Sequence, residues 1–156
     1  MIHHHDELLH GVDEASAREV RALGRMVRVP PGELLFRLGD EAADLYAIER
    51  GRLALTLPMR VPHLEEEVLI EERKAGQALG WSALVPPHRF TLTAKALVDT
   101  EVLVLPRARL LAYFETHPHV GYIVTRNVGA VMGQRLQVFQ AMWLREMQRM
   151  VQLNYA

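Results

Sequence analysis

The period of apolar and polar positions changes twice along the chain. Over residues 6–26, Leu8, Leu9, Val12, Ala15, Val20, Leu23 and Met26 recur at broken helical spacing, and Asp6 stands where an N-cap belongs. The spacing predicts an N-terminal helix there. From residue 27 to residue 105 the period is two. Val27-Arg28-Val29 alternates and ends at the turn Pro30-Pro31-Gly32. Leu34 to Leu38 is closed by Gly39-Asp40, and Leu45 to Ile48 is closed by Gly51. Leu53-Ala54-Leu55-Thr56-Leu57 alternates and is expected to stop at Pro58. Val68 to Ile70, Thr91 to Leu97 and Glu101 to Leu105 follow. Short strands bounded by Gly, Pro or Asp predict a β sandwich or barrel.

After Pro106 the pattern is helical to residue 153. Pro106 and Pro118 each stand where a proline opens a helix. From His119 to Leu153 there is no proline. At ~1.5 Å per residue such a helix is ~50 Å long, more than a small β domain needs to cover itself. Its apolar stripe is Val124, Val128, Met132, Leu136, Phe139, Trp143, Met147 and Met150, spaced by threes and fours. That spacing makes a seam for pairing with another helix, so a homodimer through the C-terminal helix is expected. The alternative is a helix that only lies on its own domain.

Composition and charge narrow the function. The chain has 156 residues and reads as one domain, 1–156. With no cysteine, disulfide scaffolds, thiol enzymes and Cys-ligated metal sites are excluded. Net charge is −1, which disfavours a basic nucleic-acid domain. No apolar run reaches the ~20 residues of a membrane span, and the N-terminus does not read as a signal peptide. A cytoplasmic protein, off the membrane, is expected. Arg126, Arg135, Arg145 and Arg149 on the last helix read as a solvated face, and Glu65-Glu66-Glu67 with Glu71 and Glu72 as a solvated sheet edge.

Glycines then carry a resemblance. Gly32-Glu33-Leu34-Leu35-Phe36-Arg37-Leu38-Gly39-Asp40, followed by Leu45 to Leu53 with Gly51, places glycine at turn apices between apolar pairs. Across roughly residues 8–150 this resembles the cyclic-nucleotide-binding domain family, which includes the sensor domains of catabolite activator proteins and the regulatory subunits of protein kinase A. The resemblance implies a mainly β fold with flanking helices. It would be a double-stranded β-helix, or jelly roll, with an N-terminal helix (6–26), a β body (27–105) and C-terminal helices (107–153).

The family's ligand site is a cassette reading approximately Gly-x-x-Phe-Gly-Glu-Leu-Ala-Leu, a short loop, then Arg-Ser/Thr-Ala. A short helix gives backbone N–H groups to the cyclic phosphate, the arginine pairs with it, and the glutamate accepts from the ribose hydroxyl. The matching stretch is 76–91, and the resemblance implies ligand contacts at Gly80, Trp81, Ser82, Ala83, His88, Arg89, Phe90 and Thr91. Gly80, Ala83 and Leu84 match the motif. Trp81 stands at the glutamate position, and an indole accepts no hydrogen bond. Counting back from Ala96-Leu97-Val98-Asp99 puts Phe90 at the arginine position and Arg89 one residue early. In regular strand that offset sends a side chain to the opposite face, and a bulge restores it.

Three readings follow. The pocket persists with a different ligand, lined by Trp81, His88 and Phe90 with Arg89 as anion anchor. Or Trp81 and Phe90 fill it, leaving a dimerisation or partner-binding module. Or Arg89 still serves cyclic nucleotide, the one cofactor in view and a disfavoured one. The first is the expected function: a stand-alone regulatory domain with a diverged pocket, served by an unidentified small molecule or protein partner. The family's helix-turn-helix has no room after Ala156, so no direct DNA binding is expected. His117-Pro118-His119 makes a poor metal site, and His3-His4-His5 an adventitious one. His88 as a haem ligand rests on a lone histidine. Ser82 sits in no nucleophile elbow, and no enzyme is expected.

Overall fold

A computed structural model describes residues 6–156. The His3-His4-His5 run lies outside the described residues. The helix expected over 6–26 is divided. Asp6 Oδ1 accepts from the N–H groups of Leu8 and Leu9 and caps a single turn. Gly11, at φ 87°, ends it. Asp13 restarts the chain by accepting from Ser16 N–H at 3.0 Å, and α1 runs Glu14–Ala22. Gly24 then passes so close to strand β8 (Thr100–Pro106) that a Cβ would lie 2.6 Å from the Val104 carbonyl oxygen. From Arg25 the chain is strand, because it pairs along β8.

Eight strands form the body: β1 (Arg25–Val29), β2 (Leu34–Phe36), β3 (Asp44–Arg50), β4 (Arg52–Val61), β5 (Leu64–Lys74), β6 (Ala78–Leu79), β7 (Thr93–Ala96) and β8 (Thr100–Pro106). They make two antiparallel four-stranded sheets, ordered β1-β8-β3-β6 and β2-β7-β4-β5. This is the jelly roll. Leu45, Leu53, Leu55, Ala94, Val102 and Leu105 belong to one buried core. α2 (Arg107–Thr116) and α3 (Pro118–Tyr155) add Leu110, Val120, Val124 and Val128 to the same core.

Two departures from the expected strands position the site. β4 does not stop at Pro58 but continues opposite β5 to Val61. β7 leaves β4 after Thr56, so the outer edge of β4 is open beyond it, and a proline is tolerated at such an edge. β5 carries a bulge, where Leu55 and Thr56 face Glu71 and Leu69 and Ile70 is the extra residue. The bulge lets Ile70 and Glu71 turn inward in succession, and the regular strand after it puts Glu71 on the same face as buried Arg73.

The 38-residue α3 has two faces. Val120, Val124, Asn127, Val128, Val131 and Arg135 lie against the barrel. Val124 and Val128, placed on the pairing seam by the sequence pattern, are therefore core residues of their own domain. Met132, Phe139 and Met147 are half-buried, and Leu136, Trp143 and Met150 are exposed. Leu136 is 61% and Trp143 67% exposed, well beyond what a self-covered helix leaves bare. The described residues contain no helix long and apolar enough to cross a membrane.

Candidate functional site

The cassette begins where β6 ends. Gly80 takes φ 77°, and a Cβ there would sit 3.0 Å from the Tyr46 ring and 3.1 Å from the Asp44 carbonyl oxygen. Only glycine fits both the dihedral and the space. A single 3₁₀ turn, Trp81–Ala83, follows and buries Ser82 and Ala83. The loop returns through His88, whose Nδ1 lies 3.0 Å from the Ser82 carbonyl oxygen, so this ring braces the loop. Phe90 is held on both sides, donating its N–H to Asp40 O at 3.0 Å and accepting from Gly39 N at 2.8 Å.

This pinning settles the register. Phe90 is 5% exposed and stacks on Phe36, with ring centroids 3.8 Å apart and planes at 9°. Tyr46 stacks on Phe36 at 5.7 Å and lies tilted against Phe90 at 6.5 Å. Arg89 is exposed, and its guanidinium donates to Gly39 O at 3.2 Å. It does not reach the cassette cavity, so the bulge that would have turned it inward is not there. The cavity is lined by Gly80, Trp81, Ser82, Phe90, Thr91 and Arg135, with apolar neighbours. Ala83, His88 and Arg89 stand outside it. Its volume is about 20 Å³, room for about one water. Small-molecule sites span roughly 300–1,000 Å³.

Arg135 is the residue that sequence reasoning missed. It is 8% exposed, not on a solvated face, and its Nε donates to Glu71 Oε2 at 2.7 Å. Burial pulls its guanidinium below the ordinary arginine range, and the Glu71 carboxylate opposes that pull. Glu71 also accepts from Arg73 Nη1 at 3.1 Å, so although β5 is an edge strand this residue is not on its solvated face. Arg73, 1% exposed, continues to Glu7 and donates to Ala78 O at 3.0 Å. Two carboxylates and two guanidiniums thus form a continuous chain from the N-terminal turn through β5 to α3. A signal for Arg135 existed. Val124, Val128, Val131 and Arg135 are spaced 4, 3 and 4, which places the arginine on the core-facing stripe.

The histidines expected to be poor metal ligands do other work. His117 stacks on Tyr113 at 4.0 Å and its Nδ1 lies 3.1 Å from the Tyr113 carbonyl oxygen, closing the end of α2. Among the described residues, no group of His, Asp and Glu is arranged to hold a metal ion. Ser82 and His88 meet only through the Ser82 backbone carbonyl.

Comparison with known proteins follows this geometry. A family model described as "Cyclic nucleotide-binding domain" matches residues 26–117. A curated relative, the lysophospholipase nte1 of Neurospora crassa, is 26% identical over 106 residues. That match covers 68% of this chain and 7% of the relative, so the chain spans a small fraction of that protein's length. Among solved structures, the catabolite activator protein of Thermus thermophilus has a TM-score of 0.72 at 23% identity, covering 91% of this chain and 63% of that one. The N-terminal domain of a transcriptional regulator from Streptomyces coelicolor has a TM-score of 0.69 at 24% identity, covering 82% and 89%. At these identities the structural likeness carries the fold.

Two predictions follow from the site. Glu71→Ala removes the carboxylate shared by two buried arginines, and breaking a buried pair from one side costs about 3 kcal/mol. A urea titration reads this as a lowered midpoint; a loss below about 1 kcal/mol would contradict the shared-carboxylate geometry. Burial, then the Asp44 charge, pushes the Tyr46 phenol up to about 12. Its unfolded value is ~10, so the stability it lends is full below pH ~10 and is lost as pH rises toward the folded value. Phenolate absorbance of the folded protein should show a component near that value that Tyr46→Phe removes. Ionisation of every tyrosine near pH ~10 would contradict it.

Proposed function

The chain belongs to the cyclic nucleotide-binding domain family, and from that membership we propose a regulatory domain whose cassette has diverged and closed, so that it does not take cyclic AMP in the family's usual mode. The observation that carries this reading is the pinned, inward Phe90 at the arginine position, stacked on Phe36 beside a cavity of about 20 Å³. A cyclic phosphate needs a charge-assisted partner, and here it would meet a phenyl face. Trp81 removes the acceptor for a ribose hydroxyl. Arg89 lies outside the cavity, with its guanidinium on Gly39 O, and Arg135, which lines the cavity, is paired with Glu71.

The domain acts as a homodimer through α3, in the cytoplasm and without direct DNA contact. The exposed Leu136, Trp143 and Met150, with half-buried Met132, Phe139 and Met147, form the pairing face. Arg135 lines the cassette and its neighbour Leu136 lies on that face, so a shift of the helix at one is felt at the other. A small molecule or protein partner regulates through this helix only if its affinity differs between the two helix positions. The closed cavity also supports a second reading, a dimerisation or partner-binding module whose cassette takes no ligand.

The double variant Trp81→Glu/Phe90→Arg restores the missing acceptor and cation. It should bind cyclic AMP at least about tenfold more tightly than the unaltered protein, measured by calorimetry. Tight binding by the unaltered protein would overturn the reading. Leu136→Glu with Phe139→Glu should halve the mass in analytical ultracentrifugation; an unchanged mass means that this face does not pair the chains.

A further inference from the structure

A second cavity, separate from the cassette, opens between the N-terminal turn, the β5–β6 turn and α3. Its volume is about 580 Å³, within the roughly 300–1,000 Å³ of small-molecule sites. Glu7 lines it from the turn, Lys74 and Gln77 from the β5–β6 connection, and Asn127, Val131 and Gln134 from α3.

The charges at this cavity are unequal. Glu7 belongs to the neutral chain of two carboxylates and two guanidiniums. Asp6, also at the rim, accepts from the N–H groups of Leu8 and Leu9 and shares Arg21, at 3.8 Å, with Glu49, which holds that guanidinium at 2.5 Å. Lys74 is exposed and forms no ion pair among the described residues. Its ammonium is the cation at the rim that no carboxylate of the described residues engages.

The neutral groups add direction. Gln77 Oε1 accepts from the Lys74 backbone N–H at 2.8 Å, which leaves its Nε2 hydrogens as donors at the cavity. Asn127 is 8% exposed, and its Nδ2 donates to Leu8 O at 2.8 Å and His10 O at 2.9 Å. Both amide hydrogens are spent, and among the described residues no group donates to Oδ1, which is left as an acceptor. Ala75, Ala130 and Val131 supply an apolar floor.

We propose that this cavity binds a small organic monoanion, a carboxylate that also carries an N–H or O–H donor. The carboxylate meets Lys74 and Gln77, the donor meets Asn127 Oδ1, and the apolar body rests on Val131. One free cation suits one negative charge, and a phosphate dianion would leave charge unmatched. The inference goes beyond the closed cassette and stands without it. A ligand here bridges the barrel to α3 and holds the helix down ahead of its exposed half.

The test is ligand-observed NMR of the full chain with N-acetylated amino acids and small hydroxycarboxylates at millimolar concentration. Their methyl esters and inorganic phosphate are run alongside. The carboxylates should bind, and their esters should bind at least about tenfold more weakly. Lys74→Glu and the milder Lys74→Gln should both lose binding while circular dichroism and melting stay unchanged. No binding by any carboxylate overturns the proposal. So does binding that survives esterification or the Lys74 variants, and so does phosphate binding more tightly than the carboxylates.

Discussion

Arg73 is a fully buried charge, and the arrangement around it is what burying that charge demands. An unpaired guanidinium in a protein interior is costly enough that the fold must bring partners to it. Glu7 arrives from the N-terminal turn, Glu71 from two residues back on the same strand, and the Ala78 carbonyl from β6. Glu71 then has an oxygen to spare, and Arg135 of α3 takes it. Three elements distant in sequence are thus fixed against one another by charges that cannot separate cheaply. Breaking one contact exposes the others, so the N-terminal turn, the sheet and the helix are expected to hold or fail together.

The fold was legible in the sequence because its signals are local. Alternation in Leu53 to Leu57, glycines at turn apices and the proline-free run after His119 each specify an element without tertiary context. The cassette register was legible as well, since counting back from Ala96 placed Phe90 inward. Whether a bulge would rescue Arg89 was not. That depended on Phe90 being pinned by Gly39 and Asp40, some fifty residues away. Glu71 and Arg135 were misplaced for a related reason. A charged residue is assigned to solvent by default, and only the β5 bulge and the core stripe of α3 turn these two inward. The seam had the converse error. Its valines continue the helical spacing of the exposed residues, but the barrel claims that part of the helix first.

Helix α3 joins the parts. Its first half is core, its middle carries Arg135 into the cassette, and its second half presents apolar residues to solvent. A cassette filled by aromatic rings does not make the helix idle. Rings that pack in place of a ligand hold the cassette in one arrangement, and the ion chain couples that arrangement to the helix. In this reading the family's apparatus for moving a helix survives while its usual trigger has been replaced by core.

The central claim is that the cassette is closed to cyclic nucleotide. Backbone amide NMR of the labelled protein, titrated with millimolar cyclic AMP and cyclic GMP, tests it at the residues concerned. The account predicts that the amides of Gly80 to Leu84 and of Phe90 and Thr91 keep their positions. Saturable shifts at those amides would contradict it, and would mean that the stack of Phe36 and Phe90 opens to admit a ligand.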